Sequence, residues 1–299
     1  MIYTFDDFQR ILQETQPLVG NHDRALRWLR IGERMPKVIR KTINSIVKRT
    51  VDLRKPYFVF EVSGMKFMGD FRDRYARGIA LMPHYEDATV GHILESLNSN
   101  PGAYFDIGTN MGVVAAMVAA KTDQPVIAVE PNPDTAKRAA CTFALNNLRN
   151  VTLFSAAVGE TDGELNFFTV PGSSDAATLS ETTTGPGAES VKVPVYSVDS
   201  MVRQLALENV GFLKIDVEGF EPQAIKGAEQ TIRNHHPDLF YEFHWEIAPK
   251  LGWTAQEIKA QIEQWNSYRF NVLHEDDPVY DFPPTPEMGL AVNVWCRRA

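Results

Sequence analysis

Cysteine is scarce in this 299-residue sequence, with Cys141 and Cys296 the only two. That excludes a disulfide framework and a cysteine-rich zinc site. Long apolar runs are also missing. The longest, Met111 to Ala120, stops at Lys121 and is too short to cross a bilayer. The first seven residues, Met-Ile-Tyr-Thr-Phe-Asp-Asp, lack the basic start and apolar stretch of a secretory signal. No internal repeat is visible, which argues against a solenoid or propeller. Positive charge is short as well: 30 Lys and Arg face 38 Asp and Glu, a net charge of −8 that argues against general nucleic-acid binding. What remains is ordinary globular composition. The length suits one large α/β unit or a domain with an appendage, in a soluble cytoplasmic protein.

The charge is unevenly spread. Arg24, Arg27, Arg30, Arg34, Lys37, Arg40, Lys41, Lys48, Arg49, Arg54 and Lys55 are opposed locally only by Asp23, Glu33 and Asp52. Such a basic arm suits an anionic substrate, a phosphate or a membrane surface, or else a solvated helix face packed on the acidic body. Residues 1–56 read as a helical extension. Thr4 and Asp7 form a capping-box pattern ahead of Phe5, Phe8, Ile11 and Leu12. Pro17, Gly20 and Asn21 end that helix. A second carries Leu26, Trp28 and Leu29, and Ile39, Ile43, Ile46 and Val47 repeat at helical spacing beyond Pro36. From Tyr57 the pattern becomes a hairpin turning at Ser63-Gly64, so a second domain is expected over 57–299.

From there strands and helices alternate. Strands are expected at Ala103 to Ile107, Val126 to Glu130, Val151 to Ser155, Gly211 to Asp216, Asp238 to His244, Tyr268 to Leu273 and Leu290 to Cys296. Helices fit 111–121, 133–147, 197–208, 221–234 and 254–266. This alternation predicts a mainly parallel sheet covered on both faces. Glu164 to Val170 and Val191 to Val195 read as an antiparallel excursion, and Pro171 to Ser190 between them as a long loop, a lid or mobile segment.

Four strand ends concentrate the chemistry. Asp106-Ile-Gly108-Thr-Asn110-Met-Gly112 closes the first sheet strand, where open α/β sheets bind ligands. A dinucleotide site would need Gly-x-Gly-x-x-Gly there. Asn110 replaces the second glycine and Asp106 precedes the turn, which suits an ammonium group better than a diphosphate. The second strand ends in Glu130-Pro-Asn132-Pro, placing a carboxylate where it can accept from both ribose hydroxyls. Lys214-Ile-Asp216-Val-Glu218-Gly-Phe-Glu221 crowds carboxylates at another strand end, a cost unless positive charge sits there. On the next strand, Glu242 and His244 share one face by the period of two.

Together with Ala157-Val-Gly, Ser197-Val-Asp199 and Gly227-Ala228, these motifs resemble the FkbM family of S-adenosylmethionine-dependent methyltransferases over residues 57–299. The resemblance implies an α/β, Rossmann-like class I methyltransferase: a mainly parallel seven-stranded sheet with one antiparallel strand, Leu290 to Cys296, plus the N-terminal helical extension. It implies S-adenosylmethionine as cofactor and a small-molecule acceptor, a hydroxyl on a sugar or polyketide-like product. Asp106, Gly108, Asn110 and Gly112 would then serve the methionine part and Glu130 the ribose. Asn132 would lie beside the adenosine, with Ser155, Ala156 and Ala157 flanking the adenine.

Methyl transfer to an alcohol also needs a base or a metal ion near the methyl group. Asp216, Glu218, Glu242 and His244 are the candidates. Asp216, Glu242 and His244 would suit a divalent ion, although nothing in the sequence requires one and no metal is expected. Trp245 and the Pro171–Ser190 loop are placed around the acceptor, as is the Tyr85-Glu86 pair. His235 and His236 read as exposed, and His274-Glu-Asp-Asp277 as a solvated loop. An amine or amide acceptor stays open at this point. So do a nicotinamide-dependent oxidoreductase, disfavoured by the missing glycine pattern, and a non-catalytic cofactor-binding partner protein.

Overall fold

The computed structural model describes residues 1–33, 51–170, 172–178, 188–273, 279–285 and 291–299. Strand β1 (Ile2–Tyr3) leads into helix α1 (Phe5–Thr15), which opens on the expected capping box. The Thr4 backbone N–H donates to Asp7 Oδ2 at 3.1 Å. Helix α2 (Asp23–Glu33) follows, then β2 (Tyr57–Val62) and β3 (Met65–Asp70). They pair antiparallel around Ser63-Gly64, both at positive φ as a two-residue hairpin turn requires. The helical repeat from Ile39 to Val47 lies outside the described residues.

The main sheet is built on β4 (Ala103–Ile107), β5 (Val126–Val129), β6 (Val151–Phe154), β11 (Val210–Ile215), β12 (Asp238–His244), β13 (Tyr268–Leu273) and β15 (Ala291–Arg298). Their order is β6-β5-β4-β11-β12-β15-β13. Only β15 runs against its neighbours in this set of seven, as expected. β1 extends one edge through β6, and β14 (Val279–Asp281) the other through β13. The helices α3 (Arg74–Ile79), α4 (Asp87–Ser99), α5 (Val113–Ala119) and α6 (Pro133–Leu145) precede or follow the first strands. Later come α7 (Val198–Gln204), α8 (Glu221–Lys226), α9 (Glu229–His235), α10 (Ala248–Leu251) and α11 (Ala255–Glu263). Two buried clusters cover the two sheet faces, one joining α1, α4, α5 and α6, the other α7 to α11. Every residue of α5 is buried, which accounts for its uniformly apolar sequence.

Three features add to or depart from the sequence expectation. The described part of the N-terminal extension, residues 1–33, adds β1 to the sheet edge. Phe8 is fully buried against Phe143 of α6, ring centroids 5.3 Å apart, because the apolar stripe of α1 needs a face to cover it. Residues 221–234 form two helices, not one. They break at Gly227-Ala228, where a Cβ on Gly227 would fall 2.1 Å from the Gly159 carbonyl oxygen. Asp199 caps the new start, accepting from the backbone N–H of Gln230 and Thr231. Third, β9 (Ser173–Thr178) occupies part of the stretch expected as a loop. It joins β7 (Ala157–Val158), β8 (Gly163–Val170) and β10 (Glu189–Tyr196) in a second sheet of order β7-β10-β8-β9, which contains the expected antiparallel pair. Pro171, residues 179–187 and His274 to Asp277 lie outside the described residues.

Candidate active site

From β4 the chain crosses to β5 on one side, while β11 lies on the other. The crevice at this reversal holds a cavity of about 290 Å³ above the carboxyl ends of β4, β5, β11 and β12. Asp106, 1% exposed, sits near the end of β4 and lines it. Its Oδ2 accepts from the Thr109 hydroxyl at 2.7 Å and the Ala115 N–H at 3.1 Å, which fixes the turn into α5. Gly108 has φ +83°, and a Cβ there would lie 1.7 Å from the Asp216 carbonyl oxygen, so only glycine lets the two strand ends meet. Gly112 answers a different need. It stands outside the cavity lining, and a Cβ there would press on the Phe143 ring at 2.8 Å.

Glu130 follows β5 and lines the same cavity at 7% exposure. Its two oxygens accept separately, Oε2 from the Asn110 N–H at 3.0 Å and Oε1 from the Asn132 N–H at 2.9 Å. Burial pushes its pKa up to about 7, against the pull of those two bonds. The Asn132 side chain is used otherwise: it caps α6, accepting from Asp134 and Thr135, and faces a neighbouring hollow. Ser155 is also outside the cavity lining, its N–H donating to the Met1 carbonyl at 2.8 Å. Ala156 and Ala157 line it together with Pro131, Val158 and Phe167, an apolar slot beside Glu130.

The opposite wall is acidic. Lys214 in β11 lies beside Asp106 in register, and Ile215 pairs with Tyr241, which brings Asp216 alongside Glu242. Lys214 Nζ donates to Asp216 Oδ2 at 2.9 Å and lies 3.8 Å from Asp106 Oδ1. Burial opposes its charge, but Asp216 and Asp106 outweigh that and hold the ammonium well above the ordinary lysine range. Glu218 has φ +53° and lines the cavity. Its turn is gripped from below by buried Glu221, whose Oε1 accepts from the Val217 and Gly219 N–H groups at 3.1 and 3.2 Å. Burial pushes Glu221 up to about 7 too. Burial, then Asp216 and Glu218, raise Glu242 well above the carboxylate range. Asp216, Glu218 and Glu242 bring ligand atoms within 4.8 Å of one another, close enough to share a cation. His244 is not in this set. It stands beyond the cavity lining with Nδ1 accepting from the Glu246 N–H, and burial lowers its pKa.

Tyr75 and Tyr85 close the acidic side, their hydroxyls 2.5 Å apart, with Glu86 next to them. Glu86, Asn110 and Glu218 are non-glycine residues in the left-handed region, and all three line the cavity. Such a conformation costs on the order of 1–2 kcal/mol each. Three of the seven such residues among the described positions line this one hollow, as backbone strain does at functional sites.

The structure thus brings together Asp106, Gly108, Asn110, Glu130, Ala156, Ala157, Asp216, Glu218 and Glu242 around one cavity, and leaves Gly112, Asn132, Ser155 and His244 outside its lining. Sequence reasoning named Lys214 and Val158 only inside motifs, with no role of their own, and did not name Tyr75 or Phe167. Lys214 carried a usable signal, a lone cation in an apolar strand, two residues before Asp216 and so on its face. Ser174 falls in the Pro171–Ser190 stretch expected around the acceptor, while Phe167, on the second sheet, carried no signal.

A family model described as Methyltransferase FkbM domain matches residues 106–270. A comparison with curated proteins returns no match. Among solved structures, the FkbM methyltransferase from Methylobacillus flagellatus is 17% identical with a TM-score of 0.42, covering 66% of this chain and 44% of its own. This chain therefore spans less than half the length of that protein. The precorrin-6y C5,15-methyltransferase from Geobacter metallireducens is 12% identical with a TM-score of 0.41, covering 71% of this chain and 88% of its own. The Pyrococcus abyssi tRNA (uracil-54, C5)-methyltransferase in complex with S-adenosyl-L-homocysteine is 12% identical with a TM-score of 0.41, over 81% of this chain and 44% of its own. The strand order β6-β5-β4-β11-β12-β15-β13 with β15 reversed is the Rossmann-like class I methyltransferase sheet, and with more than half of its residues under that one family model, this chain belongs to the FkbM methyltransferase family.

Proposed function

We propose that the chain is a cytoplasmic S-adenosylmethionine-dependent methyltransferase that modifies a hydroxyl on a small molecule such as a sugar or polyketide-like product. One observation supports this above the others. A single cavity joins a buried carboxylate beside an apolar slot to a wall of three further carboxylates.

The residues fit the cofactor. An ionised Glu130 has lone pairs left after its two N–H bonds and can accept from a ribose diol. Pro131, Val158 and Phe167 offer apolar contact to a planar base. Asp106 and Asn110 line the same cavity, and their polarity suits the ammonium group of the methionine portion. Six lining carboxyls, Glu86, Asp106, Glu130, Asp216, Glu218 and Glu242, against Lys214 make the cavity hostile to a diphosphate. This argues against a nicotinamide cofactor.

S-adenosylmethionine bound there supplies a methyl group already activated on a sulfonium. The chain's task is alignment, which can account for roughly 7–11 kcal/mol of a barrier, together with removal of the acceptor's proton. Glu242 suits the proton transfer. Its raised pKa makes the ionised form a stronger base than an ordinary carboxylate. Asp216, held by Lys214, and the Tyr75–Tyr85 pair would orient the acceptor beside it. The acidic wall also suits an amine acceptor, attracted as an ammonium ion and deprotonated by the same base.

The test is release of S-adenosylhomocysteine from labelled cofactor against a panel of polyols, glycosides, phenolic polyketides and amino sugars. The proposal expects turnover on hydroxyl acceptors that is lost in Glu242→Gln. Turnover confined to the amines would move the reading to N-methylation, and cofactor binding without turnover on any acceptor would favour a non-catalytic role.

A further inference from the structure

Helix α2 has a second face that stays exposed among the described residues. Its inner face is spent on the hairpin and the core: Ala25 is buried, Leu26 and Leu29 pack beside it, and the His22 ring just ahead of the helix meets Phe58 and Phe71. Arg30 reaches back to donate to the Ala80 carbonyl. The outer face carries Arg24, Arg27, Trp28 and Ile31, the spacing that aligns four side chains along one side of a helix. Trp28 is 46% and Ile31 45% exposed, although either would gain by leaving water.

This exposure is not general. Among the described residues the exposed large apolar side chains are Met1, Leu18, Trp28, Ile31, Leu53, Met82 and Tyr280, so none lies within the family-matched region 106–270. The same N-terminal stretch holds the eleven basic residues between Arg24 and Lys55, in a chain whose net charge is −8. With Trp28 and Ile31 beside Arg24 and Arg27 on one exposed face, apolar burial and attraction to anionic headgroups would act at the same surface.

We propose that the outer face of α2 docks on an anionic lipid surface, with Trp28 and Ile31 entering the headgroup boundary and Arg24 and Arg27 meeting the lipid charges. Nucleic acid fits less well. Ile31 can neither stack on a base nor hydrogen-bond to one, whereas a lipid interface offers it an apolar surrounding. This proposal is independent of the chemistry assigned to the cavity.

Co-sedimentation of the full chain with phosphatidylcholine vesicles, with and without about 30% phosphatidylserine, tests it. Binding should require phosphatidylserine and fall steeply at about 0.5 M salt. Arg24→Glu with Arg27→Glu should weaken it at least about 25-fold, roughly fivefold for each Arg charge removed. Trp28→Ala with Ile31→Ala should weaken it at every salt concentration. Both variants alter the exposed face and should keep the wild-type melting temperature. Equal sedimentation with neutral and anionic vesicles overturns the proposal. So does an anionic-vesicle affinity unchanged by the double charge reversal in a folded variant. RNA retention without vesicle binding, or a dimer that Trp28→Ala dissolves without vesicle binding, assigns the face to another partner and equally overturns it.

Discussion

Replacing Glu130 with glutamine should make cofactor binding indifferent to pH across the range where the wild type responds to it. Burial pushes Glu130 up to about 7 despite the N–H groups of Asn132 and Asn110 that donate to it. Only the ionised carboxylate accepts on both oxygens, so a ribose diol selects the charged form. At pH 6 about one molecule in ten carries that charge and at pH 8 about nine in ten. The apparent affinity for S-adenosylhomocysteine should therefore rise roughly tenfold over that interval. Isothermal titration calorimetry in buffers of different ionisation enthalpy measures it, and below pH 7 each binding event should release close to one proton. Glu130→Gln should bind about 30-fold more weakly at pH 8, the equivalent of one charge-assisted hydrogen bond of about 2 kcal/mol, with no slope. A wild-type affinity that is flat, or that improves toward acid, would refute the ribose assignment.

Glu221 yields a stability prediction. Its folded pKa of about 7 lies above the ordinary value of 4.5, so its contribution is present in full at acid pH and is lost as pH rises from about 4.5 through 7. Urea unfolding should show wild type losing roughly 2–3 kcal/mol relative to Glu221→Gln between pH 5 and 8; a constant difference would contradict the burial argument. Glu242→Gln should lower turnover by about 10²–10⁴-fold while leaving the Kd for S-adenosylhomocysteine near wild type, and undiminished turnover would remove Glu242 as the base. Because the raised pKa of Glu242 delays its ionisation, kcat should climb with pH on the acid side of the profile, a limb the variant lacks. Gly108→Ala should yield a chain that fails to fold or melts far below wild type, since its Cβ would overlap the Asp216 backbone.

Much of this arrangement was legible because buried parallel strands leave short apolar runs that end where the chemistry starts. Asp106, Glu130 and Asp216 each stand at or just past such an end, and the topology makes those ends converge. Position on a strand does not reveal what else competes for a side chain. Asn132 looked like a cofactor contact, yet the start of α6 needs its amide oxygen as a cap. His244 shares the alternation of Glu242, but the strand ends there and the ring turns to the Glu246 N–H instead. Gly112 looked like part of a ligand cradle and serves the close passage of Phe143. Phe167 reaches the cavity only because a second sheet folds over it, which no local spacing encodes.

A crystal structure of the chain soaked with S-adenosylhomocysteine tests the central claim most directly. The nucleoside should lie over the end of β4 with both ribose oxygens on the Glu130 carboxylate and the base in the slot of Pro131, Val158 and Phe167. Density at another location, or a cleft left vacant at saturating ligand, would contradict the account.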